Sequence, residues 1–348
     1  MDHSETINFA SENYAGVQSD MMQALLDANK GHARSYGNDE YTLEAANLIR
    51  ESFGADAEVY FTFNGTGANN FGLASITNKY HSIFCSDVAH LYVDESTAPE
   101  TFVGCRIFVI PSESGKITAE ELRVSIKRSG DIHHPQPKVV SLTQPTEYGT
   151  VYTIDELKAI KAICVDNNML LHVDGARYFN AAISLGTTFK EMTTDVGIDV
   201  LTLGGTKAGM MFGEAVIFFN KDQSEGYKYN LKRSMQLASK NRFIAAQFTA
   251  MLTDNIWHRL ATHTNNLAKE FERRIVEIPS VKVVHPVETN AVFIKMSPAL
   301  HEKMQQHAHF YYWNDLKEEV RLVFSFDNTI EEIDRFIKQL DQYSSDLN

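Results

Sequence analysis

The sequence predicts an α/β protein, a mostly parallel sheet flanked by helices, with a smaller C-terminal α+β domain. Three observations predict it. Short apolar runs alternate with amphipathic stretches of helical length through the first two-thirds of the 348 residues. Several helical stretches open on a capping-box signature. After about residue 245 the alternation gives way to one long amphipathic stretch and a few short strands. A chain this long exceeds one small core. The predicted division is 1–245 for the large unit, N-terminal segment included, and 246–348 for the small one. No Pro- or Gly-rich linker marks it.

In chain order, Glu58–Phe63 reads as a buried strand and Thr66–Tyr80 as the helix after it. Ser82–Ser86 and Arg106–Ile110 are strands. Thr118 and Glu121 form a capping box that opens a helix to about Arg128. The threonine hydroxyl takes an orphan backbone N–H and the glutamate reaches back. Lys138–Thr143 is a strand, Thr153 and Glu156 cap a helix to about Asn167, and Leu170–Val173 is the next strand. Val200–Leu203 and Glu214–Phe219 complete the sheet. In the small unit, Asn255–Ile278 is amphipathic, Val281–Val284 and Ala291–Met296 are strands, and Pro298–His309 is a helix. Arg321–Phe324 is a strand, and Thr329 with Glu332 caps the last helix.

Apolar residues make up 43% of the chain and charged residues 22%, values of a globular protein. With 32 basic and 45 acidic residues the formal net charge is −13, which disfavours sequence-independent binding to nucleic acid or anionic lipid. The first residues lack a secretory pattern, and no stretch reaches the ~18 apolar residues of a membrane helix. Cys85, Cys105 and Cys164 form no disulfide framework or Cys-x-x-Cys pair, as expected of reduced thiols in a cytoplasmic protein.

In a parallel sheet, ligands bind beyond the carboxyl ends of the strands, and four features stand there. Asn64-Gly65-Thr66-Gly67 joins a strand to a helix and could be either a plain turn or a phosphate cup at a helix N-terminus. His90 follows the strand Ser82–Ser86. Asp174 ends a very apolar strand, and a buried carboxylate there needs a partner, which Arg177 could be. Lys207 sits in Gly204-Gly205-Thr206-Lys207-Ala208-Gly209, where it could be a desolvated nucleophile or a lysine snorkelling to solvent. Phosphate cup, lysine, strand-end acid and a histidine able to lie over a flat ring are the equipment pyridoxal phosphate requires. No H-E-x-x-H or comparable spacing appears, so no metal site is predicted.

At these residues the sequence resembles the low-specificity L-threonine aldolases, pyridoxal-phosphate enzymes of the aspartate-aminotransferase-like fold (fold type I). The resemblance is carried by Phe9-Ala10-Ser11-Glu12-Asn13-Tyr14, Arg34-Ser35-Tyr36-Gly37-Asn38-Asp39, Phe63-Asn64-Gly65-Thr66, Ala89-His90 and Thr146-Glu147-Tyr148-Gly149-Thr150-Val151. It continues in His172-Val173-Asp174-Gly175-Ala176-Arg177, Gly204-Gly205-Thr206-Lys207 and Arg321-Leu322-Val323-Phe324-Ser325-Phe326-Asp327. It implies cleavage of L-threonine and L-allo-threonine to glycine and acetaldehyde. Lys207 would be the covalent attachment point of pyridoxal 5'-phosphate, Asp174 would face its ring nitrogen, and Arg177 its phenolate oxygen. Gly65 and Thr66 would bind the phosphate and His90 would stack on the ring. Ser11 and Arg321 would hold the substrate carboxylate. Arg242 would reach a phosphate, in this subunit or a neighbouring one, and Tyr36 would belong to a shared site. One branch of the family has a histidine where this chain has Glu147; the proton acceptor for the β-hydroxyl is His90, Glu147 or a water held by them. The resemblance also implies a homodimer or homotetramer. The same residues would serve another fold type I enzyme: a β-eliminating lyase, a serine-hydroxymethyl type enzyme or an aminotransferase.

Overall fold

The computed structural model describes residues 6–347. The large unit begins with β1 (Ile7–Asn8), α1 (Ser19–Ala28) and α2 (Glu40–Phe53). It continues with β2 (Glu58–Thr62), α3 (Gly65–Ile76), β3 (His81–Ser86), α4 (His90–Val93), β4 (Arg106–Ile110), α5 (Ala119–Ser125), β5 (Gln136–Thr143), α6 (Ile154–Asp166) and β6 (Leu170–Gly175). Then come α7 (Tyr178–Leu185), α8 (Phe189–Met192), β7 (Val200–Gly204), β8 (Glu214–Phe218), α9 (Tyr227–Arg233) and α10 (Arg242–Leu252). The rest is α11 (Ile256–Ile275), β9 (Lys282–Val283), β10 (Ala291–Lys295), α12 (Pro298–Met304), β11 (Ala308–His309), β12 (Tyr311–Asn314), β13 (Glu319–Val323) and α13 (Ile330–Leu347).

Seven strands form the main sheet in the order β2-β8-β7-β6-β5-β3-β4, and β8 alone runs against its neighbours. The mostly parallel sheet expected from the sequence is therefore present. Every residue of β7 and β8 is buried, which is why both read as unbroken apolar runs. The register brings Thr143 of β5, Asp174 of β6 and Thr202 of β7 side by side, and pairs Gly204 with Glu214 and Glu214 with Thr62. One sheet edge thus collects the ends of β2, β5, β6 and β7 and the start of β8.

The capping boxes at Thr118 and Thr153 form as predicted, and Thr329 and Glu332 exchange the same pair of bonds. Several boundaries move. The helix after β2 ends at Ile76, not Tyr80. The helix opened by Thr118 ends at Ser125; Arg128, its expected last residue, has the left-handed φ of 57°. Pro298–His309 is not one helix: α12 stops at Met304, and Ala308–His309 pairs with β1.

The small unit's sheet is antiparallel, β12-β13-β10-β9. The expected division at residue 245 falls inside α10, whose Ala245, Phe248 and Met251 stay in the large core. Packing changes partner within α11, where Ala261 belongs to the large core and Leu267, Ala268, Phe271 and Ile275 to the small one. Ile7 and Phe9 also lie in the small core, so the N-terminal segment crosses from one unit to the other.

Candidate active site

A cavity of about 410 Å³ opens at the collected strand ends, within the usual range of small-molecule sites. Gly65, Thr66, His90, Glu147, Asp174, Arg177, Lys207 and Arg321 all line it. Eight predicted residues, scattered over most of the chain, are thereby brought together.

Glycines let two of the carrier turns meet. A Cβ on Gly175 would press on the Thr202 carbonyl, and one on Gly204 would collide with the Ala176 backbone. The turn after β6 and the turn after β7 can therefore touch, which sets Asp174 and Lys207 into one cavity. Asp174 accepts from Asn69 Nδ2 at 2.7 Å and from the Ala176 N–H at 3.0 Å. Lys207 is held below the usual lysine range, first by the nearby positive charge of Arg177 and then by burial. Both favour the neutral, nucleophilic amine. Glu214, at the start of β8, accepts from the Gly205 N–H at 2.7 Å and fixes the lysine turn; burial pushes its carboxyl up to about 7.

Arg177 does not pair with Asp174. Its Nε and Nη2 donate to Glu12 Oε1 and Oε2 at 2.5 and 2.8 Å. Glu12 also accepts from Asn290 Nδ2 at 2.7 Å. Burial works against charge on Glu12, but the Arg177 guanidinium outweighs it and holds the carboxyl at about 2. That leaves Nη1 of Arg177 for a ligand.

Arg321 is the opposite case. It is partly buried; among the described residues its Nε has no hydrogen-bond partner, and Nη2 donates to the Ala10 carbonyl at 3.3 Å. Burial, and then the charge of Arg177, lowers its pKa to about 10. Its guanidinium lies 4.9 Å from the ring centre of Trp313, a residue placed at a bulge in β12. An arginine that no carboxylate pairs, in the wall of a cavity, is a receptor for a carboxylate.

Glu147 lines the same cavity. Oε1 accepts from the His90 backbone N–H at 2.8 Å and the Thr143 hydroxyl at 2.7 Å, while Oε2 is buried with no partner. Burial pushes its carboxyl up to about 7. His90 Nδ1 lies 3.0 Å from Glu95 Oε1. That bond raises the imidazole pKa against the effect of burial and leaves Nε2 as the ring nitrogen open to a ligand.

Three predicted residues are not in the cavity. Ser11 caps the short turn Glu12–Tyr14, accepting from the Asn13 N–H at 3.2 Å, and lines a separate hollow with Tyr14 and His309. Tyr36 is exposed, with a φ of 60°, under the Lys232 ammonium. Arg242 stacks on Phe243 and donates to the Gly31 carbonyl at 3.4 Å.

The residues fit pyridoxal phosphate. Asn64 caps α3 through the Gly67 N–H and so leaves the first-turn N–H groups of Gly65 and Thr66 at the cavity wall. Asp174, the Lys207 amine and the Arg321 guanidinium would supply the other contacts that the cofactor and an amino acid need.

The β-eliminating lyase family matches residues 8–299. The low specificity L-threonine aldolase of Pseudomonas aeruginosa is 42% identical over 95% of this chain and 96% of its own. That of a Pseudomonas species is 46% identical over 87% and 88%. The chain belongs to the low-specificity L-threonine aldolase family. The threonine aldolase of Leishmania major superposes with a TM-score of 0.92 at 25% identity, covering 97% of this chain and 99% of that one. The aspartate aminotransferase of Thermus thermophilus shares the fold, with a TM-score of 0.73 at 15% identity over 97% and 91%.

Within this family framework, the sequence left Glu12, Asn69, Glu95, Glu214 and Trp313 without roles. Two had a signal. Asn69 and its neighbour Asn70 are amides in the middle of an apolar helix, and such groups must have partners. Glu12 sits inside one of the matching motifs. Glu95, Glu214 and Trp313 had none, because their roles depend on which strands and turns lie together.

Proposed function

We propose that the protein cleaves L-threonine and L-allo-threonine to glycine and acetaldehyde with pyridoxal 5'-phosphate. The observation that carries the reading is one cavity lined by Lys207 and Asp174 from adjacent strand ends, by Glu147, and by Arg321, which forms no ion pair with a carboxylate among the described residues.

Lys207 would hold the cofactor, with Gly65 and Thr66 at its phosphate, Asp174 at its ring nitrogen and His90 against its face. When bound, pyridoxal phosphate supplies the electron sink that lets the Cα–Cβ bond of an amino acid break. Arg321 binds the substrate carboxylate through its guanidinium and so fixes the orientation of the amino acid in the cavity. Glu147 Oε2 takes the β-hydroxyl proton. Its other oxygen is held by two donors, and a pKa near 7 suits a base at neutral pH. His90 is tied to Glu95 and serves in positioning and stacking. Tyr36 and Arg242, outside their own cavity, fit a homodimer or homotetramer in which they complete a neighbour's site. Three free buried cysteines among the described residues support a cytoplasmic location.

The test is the absorption spectrum of the purified protein, then borohydride treatment, then L-threonine with an aldehyde assay. A visible band bleached by borohydride, with the label mapped to Lys207 and aldehyde and glycine formed together, supports the reading. Lys207→Ala should lose both band and turnover. A keto acid in place of aldehyde would move the assignment to another fold type I reaction.

A further inference from the structure

A buried carboxylate that the reaction as described does not use lies behind the cavity wall. Glu95 follows α4, and its side chain is 0% exposed. Oε1 accepts from Asn69 Nδ2 at 3.2 Å and meets His90 Nδ1 at 3.0 Å; Oε2 accepts from Asn70 Nδ2. The Asn69 amide nitrogen also donates to Asp174 Oδ2 at 2.7 Å. An amide carries two hydrogens, so one Asn69 serves both carboxylates. The chain His90–Glu95–Asn69–Asp174 therefore runs unbroken from α4 to the end of β6.

Two features show that this placement is not incidental. Among the described residues, His90 is the only group that forms an ion pair with Glu95. A buried carboxylate without arginine or lysine is tolerated only when its oxygens are well hydrogen-bonded, as these are. The backbone directly after it is also strained: Ser96 and Thr97 have φ of 48° and 61°, the left-handed region that non-glycine residues avoid. Successive strained residues persist where the surroundings over-determine them.

We propose that Glu95 is a positioning residue that holds His90 in the Nδ1–H form, with Nε2 open to the cavity, and through Asn69 ties that ring to Asp174. The residue over the cofactor ring and the residue at its nitrogen then share one buried anchor, and neither can rotate alone. The charged groups bearing on His90 are Glu95 and Asp174, which favour its protonated form, and Lys207, which opposes it. Glu147 accepts from its backbone N–H. The kinetic part of the test rests on the function proposed above; the tautomer does not.

The experiment is nitrogen NMR of histidine-labelled protein, cofactor-free and cofactor-loaded, with the His90 signals identified by their loss in His90→Asn. Above its titration the wild-type ring should carry hydrogen on Nδ1 and none on Nε2. Glu95→Gln should lower the proton affinity of His90 by at least about tenfold. It should also lower kcat by roughly 10- to 100-fold, the usual cost of removing an orienting partner. A wild-type His90 protonated on Nε2 overturns the proposal even if Glu95→Gln fails to fold. An unchanged titration in Glu95→Gln overturns it too, and so does an altered tautomer with unchanged kcat. A protein that forms no aldehyde would defeat the functional reading and leave the tautomer result standing.

Discussion

Arg177 and Arg321 face one cavity from different units, and the fold treats them differently. Arg177 comes from the turn after β6 and is closed: Glu12 takes Nε and Nη2 together. Arg321 comes from β13 of the small sheet and is open, with a buried Nε that meets nothing. The glutamates divide the same way. Glu12, paired, is held at about 2; Glu147, with one bare oxygen, is pushed up to about 7. Carboxylates whose surroundings drive them apart mark a division of labour. The closed pair ties the N-terminal segment to the large unit. The open pair keeps unspent hydrogen-bonding capacity for a ligand.

The largest test falls on the open carboxylate. Below its pKa Glu147 is protonated and cannot accept the substrate proton. kcat/KM should therefore rise with pH through about 7 and then level. Glu147→Gln should lower kcat/KM at pH 8 by about 10²- to 10⁴-fold, the range for a lost general base, and abolish that rise. A variant that keeps both rate and rise would reassign the base to His90 or a water.

Exchanging the arginines for leucine separates their roles. Arg321→Leu should raise KM for threonine with near-normal folding stability; loss of a desolvated charge contact costs about 2–5 kcal/mol, or about 30-fold to several thousand-fold. Arg177→Leu strands Glu12 without a counter-ion and should cost about 3–5 kcal/mol of stability. Steady-state kinetics beside urea unfolding reads both, and the reverse pattern would break the comparison.

Acid unfolding tests the closed pair alone. The folded pKa of Glu12 lies below its ordinary 4.5, so its contribution is complete above pH 4.5 and disappears as pH falls toward about 2. The depression corresponds to stability of order 3 kcal/mol. Glu12→Gln should flatten the stability–pH curve across that window. A curve parallel to that of wild type would show that the pair adds nothing.

The same contrast explains what was legible in the sequence. Asp174, Lys207 and Gly65-Thr66 stand directly after apolar strands, and strand ends in a parallel sheet converge. Their placement followed from the local pattern, as did most of the strands. The partner of Arg177 did not. Asp174 is three residues away along the chain, and Glu12 is 165; sequence proximity favoured the wrong acid. Ser11 was legible as a motif residue, but it caps the turn Glu12–Tyr14 and lines a different hollow. The N-terminal pair β1–β11 was not read because both strands are two residues long and gain stability only from each other, about 300 residues apart; β12 is short and broken by a bulge, which hides its alternation.

Trp313, in the unread β12, makes the smallest and sharpest test. Arg177 is fixed by a carboxylate that also neutralises it. Arg321 is fixed by an aromatic face, which restrains the guanidinium and leaves its charge available. The ring is itself braced edge-on by Phe293 and Tyr148. A cation–π contact contributes about 0.5–2 kcal/mol, so Trp313→Leu should raise KM for threonine by roughly 2- to 30-fold with kcat little changed. Trp313→Phe keeps an aromatic face and should recover most of that loss. If Trp313→Leu instead lowers kcat at constant KM, the ring shapes the reacting end of the substrate, and Arg321 keeps its position from the β-sheet alone.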